Sequence, residues 1–246
     1  MGITNLLFGL HMMLGGLSIF ATLKIKSFIQ ATNIHKIEEA FIELNATAEK
    51  QRNKYEKLFV YSSIILWSLN YINKLKNTSR EGRDCEKDIS DLMNPLVHYR
   101  SAAFDFQNSD LYNIALYLYN ANEDQLEQFF RKCDDRIEVH GRSWKPPFGY
   151  IGYAHWINGV IISSEYPNQP SATTGKALPS DKEFYASCVA AAIPGNMTGG
   201  KPIGVLIISS SRENQFSSND TSLTDFISEY VLILSQYFEK YFDGNH

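Results

Sequence analysis

The sequence predicts an α+β chain in which an antiparallel sheet is flanked by helices and preceded by a membrane-spanning helix and a long helical stalk. Three observations carry that expectation. No charged side chain occurs before Lys24, an apolar three-four repeat follows it, and the second half holds short strand-like runs that close on one amphipathic helix. With 246 residues, 44% hydrophobic and 20% charged, the chain can bury a substantial core, which excludes a disordered or collagen-like polypeptide. The formal charge of −4 supplies no basic surface for a phosphate backbone, so nucleic acid is not an expected partner. Three widely spaced cysteines (Cys85, Cys133, Cys188) fit neither a secreted disulfide framework nor a zinc site, and point to a reducing compartment.

Taken in order, residues 5–23 are apolar except for Asn5, His11, Ser18 and Thr22. As a helix they reach about 28 Å, close to the hydrocarbon thickness of a bilayer. The flanking Lys24 and Lys26 come after the run, as in an uncleaved anchor, and orient the remainder toward the cytoplasm. Residues 1–23 are therefore expected to be a single inner-membrane span. A buried amphipathic helix is the alternative, given Gly15 and Gly16. From Ile34 through Ile37, Phe41, Leu44, Ala48, Gln51, Tyr55, Leu58, Ser62, Ile65, Leu69 and Ile72 the positions advance by three and four, a coiled-coil seam flanked by Glu and Lys. This predicts a homodimeric or higher homo-oligomeric stalk over 24–57. The run from Leu58 to Ile72 is apolar nearly all round but falls short of the ~20 residues a span needs, so a core helix is expected there. A loop and a helix beginning near Asp84 or Asp88 follow.

Within 58–246, Asn113 to Tyr119 alternates and is strand-like, with a turn at Asn120 to Asp124 and the next strand expected within Phe129 to Val139. Ser187 to Ile193, stopped by Pro194, and Ile203 to Ser209 are continuous apolar runs suited to central strands. Leu223, Phe226, Ile227, Tyr230, Val231, Leu234, Phe238 and Tyr241 make one helical stripe, opened by a capping box at Ser217 to Asp220. Gly149 and Gly152 suggest a tight turn, and Gly204 a close approach between backbones.

The ordered set Gly149-Tyr-Ile-Gly-Tyr-Ala-His-Trp-Ile-Asn-Gly159, Glu165-Tyr-Pro167, Ser187 to Pro194, Lys201 to Ser209 and Phe216 to Asp220 resembles the GAF domain, over about residues 110–242. The resemblance implies a GAF fold related to PAS: a sheet of five or six strands, helices on one face for dimerisation, and a small-molecule pocket on the other. The pocket is expected around Arg142, Trp156, Tyr166, Phe184, Tyr185 and Ser187, aromatic walls with a few polar groups. Those aromatics could equally be core.

Chemistry is sparse. Gly195 to Lys201 nearly matches a phosphate loop, but Pro202 stands where Ser or Thr must meet magnesium and the segment joins two strands, so a hairpin is expected. No Cys-x-x-Cys, His-Glu-x-x-His or Gly-x-Ser-x-Gly occurs, and His140 and His155 lack a metal or haem spacing. Cys188 sits in an apolar strand as an inert thiol, without the following His of bilin-attaching GAF domains, and the cyclic-nucleotide signature of the family is not recognisable. Free-methionine sulfoxide reductases share the GAF fold but use paired loop cysteines, so the expectation is a protein that is not an enzyme and that has no defined cofactor.

The expected function is a bacterial, membrane-tethered sensory module that binds a small ligand or nucleotide and signals through the dimeric stalk. No kinase, cyclase or DNA-binding helix pair follows the domain, so the output is expected to be an unidentified partner protein or the membrane segment. One alternative is a nucleotide-activated effector whose N-terminal helices disrupt the membrane. Another is a dimeric scaffold with no ligand.

Overall fold

The computed structural model describes residues 13, 18, 34–76, 84–138, 141–164, 184–195 and 200–241. It divides into two compact units, Met1–Tyr55 and Glu56–His246. Helix α1 spans Ile34–Lys76, 43 residues without proline or glycine. The expected span over 5–23 lies outside the described residues apart from Met13 and Ser18. Among the described residues no helix is long and apolar enough to cross a membrane.

In the first unit the side chains of α1 from Glu39 onward are exposed. In the second, Tyr61, Ile64, Ser68, Ile72 and Leu75 are buried, whereas Phe59 is 72% and Leu66 60% exposed. The run Leu58 to Ile72 is thus a core helix on one face only, a correction to its apolar-all-round reading. Its three-four seam also drifts off the buried face: Ile65 and Leu69 are only half-buried, because packing against the domain follows the 3.6-residue turn.

Helix α2 (Cys85–His98) opens on Asp84, whose Oδ1 accepts the Lys87 N–H at 3.1 Å. It continues through Tyr99 into the short α3 (Arg100–Phe104), and Asp105 then turns the chain at φ 57°. Strands β1 (Tyr112–Asn120), β2 (Gln125–Cys133), β3 (Val160–Ser163), β4 (Ser187–Ile193) and β5 (Gly204–Ser210) form one antiparallel sheet of order β2-β1-β5-β4-β3. β2 begins earlier than expected because Asn120 pairs directly with Gln125, leaving only a short turn in which the Asn120 carboxamide accepts the Asn122 N–H at 3.0 Å. Helix α4 (Gly149–Ile157) replaces the turn expected around Gly149 and Gly152, although the close approach holds: a Cβ on Gly152 would lie 2.8 Å from the Lys145 carbonyl oxygen. Helix α5 (Thr221–Tyr241) is capped by Asp220, whose Oδ1 accepts the Leu223 N–H at 3.1 Å, rather than by the full Ser217 box.

The sheet has a core on each face. One is helical: Tyr61 stacks on Phe226 at 4.2 Å, and Leu92, Met93, Leu96, Tyr230 and Tyr237 are fully buried against Ile114, Leu116, Val189, Ala191, Leu206 and Ile208. Burying each such large side chain stabilises by about 1.5–3 kcal/mol. Asp88, itself buried, holds three helices together by accepting from Tyr71 at 2.9 Å and Tyr237 at 3.3 Å. The other core is smaller, with α4 laid on Ala115, Val205, Ala190 and Ile207.

Candidate ligand-binding cavity

Strand alternation decides what reaches the α4 side. On β1 the residues Asn113, Ala115 and Tyr117 point there, on β4 Cys188 and Ala190, and on β5 Ile207 and Ser209, while their neighbours serve the helical core. Ala115 pairs with Arg131 of β2, which therefore faces the same way. Between these side chains, Glu138, Arg142, Trp144 and α4 lies a cavity of about 90 Å³. One water needs only ~10–15 Å³ of such space.

Its polar wall is built on Arg131. The guanidinium donates from Nε to Asn113 Oδ1 at 2.7 Å and from Nη2 to the Tyr185 hydroxyl at 2.9 Å. Asn113, which is buried, passes the contact on by donating to Ser209 Oγ at 3.3 Å. Arg142 and Glu138 also line the space. The apolar wall is Tyr117, Trp144, Ile151 and Ile207, with Tyr150 fixed by a 3.0 Å hydrogen bond to Ser163 Oγ.

Trp144 is held by backbone bonds in both directions to Leu126, 2.7 and 2.9 Å, and packs against Gly149, where a Cβ would meet its ring at 2.5 Å. Gly149 also adopts φ 68°, so glycine is required twice over. The indole Nε1–H is buried without a hydrogen-bond acceptor. It lies near enough to the Tyr117 hydroxyl to influence its titration, but not in the geometry of a formed bond.

Burial pushes the Tyr117 phenol upward, opposed by the Trp144 indole and the Arg131 and Arg142 charges. It also pushes the Cys188 thiol up to about 12, so that this cysteine is uncharged and a poor nucleophile. His155 is buried beyond the cavity residues. Its Nε2 lies 3.0 Å from the Pro202 carbonyl oxygen, its ring stacks on Tyr119 at 4.6 Å, and burial lowers its pKa. Among the described residues no cluster of His, Cys, Asp or Glu is arranged to hold a metal ion.

Of the six residues expected at the pocket, Arg142 and Tyr185 line the cavity. Phe184 sits beside Tyr185, ring centroids 6.2 Å apart, without lining it. Ser187 faces the helical core and donates to the Arg212 carbonyl at 2.7 Å, one strand residue out of phase with Cys188. Trp156 is 64% exposed on α4. Tyr166 lies outside the described residues. Sequence reasoning missed Arg131, Asn113 and Ser209, although each is a polar residue on the inward phase of a strand.

Searches for a known protein family and for a curated relative find no match to the chain. Solved structures do match. A chain titled as the structure of the GAF domain aligns with a TM-score of 0.55 at 18% identity, covering 75% of this chain and 90% of that one. The fold is GAF-like. A free methionine-R-sulfoxide reductase from Neisseria meningitidis, solved with its substrate, aligns with a TM-score of 0.52 at 17% identity, over 75% of this chain and 91% of that one. That second match corrects the expectation that the chain is not an enzyme: this GAF-like architecture also serves a reductase, so the fold gives no ground for excluding catalysis.

Proposed function

We propose that the chain is a GAF-like sensory module whose cavity binds a small ligand. The carrying observation is the cavity itself: a space walled by aromatics, with an arginine network and a buried indole donor that lacks an acceptor. Occupation of the cavity acts on β1, β5 and β4, whose opposite residues, Leu116, Leu206, Ile208 and Val189, pack in the core that contains Tyr61 and Ile64 of α1. A ligand preferring one arrangement of those strands therefore biases the setting of α1. In this reading α1 pairs with its counterpart in a homodimer, the charge-free segment 5–23 tethers the module to the inner membrane with residues 58–246 in the cytoplasm, and a partner protein takes the output.

The test is thermal unfolding of the full chain with panels of small acids, nucleotides and tetrapyrroles. A ligand at 100 times its dissociation constant stabilises by about 2.7 kcal/mol. The expected outcome is a rise in Tm for one chemical class. No rise for any class counts against a ligand-binding role, and recovery of the whole protein in the soluble fraction counts against the tether.

A further inference from the structure

We propose that the cavity's ligand is a small uncharged carbonyl compound, held by its oxygen between Trp144 and Tyr117. The proposal rests on the reading of the cavity as a ligand site and adds the chemical class.

The anchor is the first argument. Trp144 lines the cavity, and its indole N–H is buried with no acceptor among the described residues. A buried donor left unmade carries its desolvation penalty until an acceptor reaches it. Tyr117 lines the same space, is buried, and holds its hydroxyl close to the indole with no bond formed between them. Backbone register places the two independently. Tyr117 pairs with Gln128 on one side of β2, Trp144 pairs with Leu126 on the other, and both side chains lie on the α4 face of the sheet.

The nature of these donors is the second. Indole N–H and phenol O–H are dipoles without charge. A carbonyl oxygen carries two lone pairs and no proton, so it can accept from both and brings no donor that needs a partner of its own. The charged side chains of the lining are already engaged: Arg131 with Asn113 and Tyr185, and Arg142 and Glu138 each in interactions of their own. A charged ligand would have to compete for them after leaving water, a step far costlier for an ion than for a neutral carbonyl.

Shape is the third. Ile151, Ile207 and the buried Cys188 give the space an apolar side. At ~15 Å³ for each water-sized position, about 90 Å³ admits about six non-hydrogen atoms, a small ketone, ester or lactone rather than a nucleotide.

The experiment adds butanone and cyclopentanone to the thermal panels and titrates the full chain with them by calorimetry. Propionate is the charged counterpart and cyclopentane the ring without an acceptor. At least one ketone is expected to raise Tm and to bind about tenfold or more tighter than propionate. Trp144→Phe, which removes the N–H and keeps an aromatic ring, should weaken that ketone by about tenfold, the size of one buried hydrogen bond, and cyclopentane by less than about twofold. Tyr117→Phe should weaken the ketone in the same selective way, and serves alone should Trp144→Phe fail to fold.

Tighter binding of propionate overturns the uncharged class, and a ketone affinity that neither variant changes, or that falls no more than that of cyclopentane, overturns the anchor; both outcomes leave the cavity a ligand site. If no ketone binds, the proposal falls, while a rise in Tm with another class keeps the cavity a ligand site. If nothing in the extended panels binds, the ligand-site reading falls with it.

Discussion

At Gly204 a single hydrogen atom decides whether two strands can meet. A Cβ there would stand 2.1 Å from the Tyr117 carbonyl oxygen, a backbone atom that cannot swing aside as a side chain can. Gly204→Ala is therefore expected to destabilise the domain by about 3 kcal/mol, at the upper end of ordinary overpacking, and chemical denaturation reads it. His155 gives a pH signature. Burial is the main cause that lowers its folded pKa below the unfolded value near 6.5, so the unfolded chain binds the proton more readily. Its contribution to stability is complete above pH 6.5 and is lost as pH falls from there through the lower folded value. The Tm of the wild type should fall between about pH 7 and pH 5, and His155→Gln should flatten that fall.

Elements with one dominant physical demand were legible in the sequence. β4 and β5 are buried on both faces, so they read as near-continuous apolar runs, while β1 reads by its alternation and α5 by its stripe. β2 is an edge strand with a half-exposed, polar pattern, and its start was displaced accordingly. α4 was hidden by its glycines, one of which is needed for the Trp144 ring rather than for a turn. The cavity was only partly legible, since which of two adjacent strand residues faces it depends on register: Cys188 does, and Ser187 does not. For α1 the two faces should behave differently. Ile64→Ala opens a hole in the helical core and should destabilise by about 2–5 kcal/mol, whereas Leu66→Ala, on the exposed face, should change the unfolding of the isolated protomer by less than about 0.5 kcal/mol. Equal losses would mean that Leu66 is covered, as pairing of α1 with a second copy would do.

Across the whole molecule, one sheet separates a large helical core from a small cavity core, so the same strands contact the proposed ligand site on one face and α1 on the other. The account stands on that cavity being occupied, and Trp144 is its built-in reporter. Indole proton–nitrogen spectra of the full chain, assigned with Trp144→Phe, can be followed during a titration with whichever compound of the panels raises Tm most. The Trp144 signal should move downfield as its N–H gains an acceptor, with half-exposed Trp67 and exposed Trp156 unchanged. A bound ligand that leaves the Trp144 signal in place and shifts Trp67 or Trp156 would contradict the account.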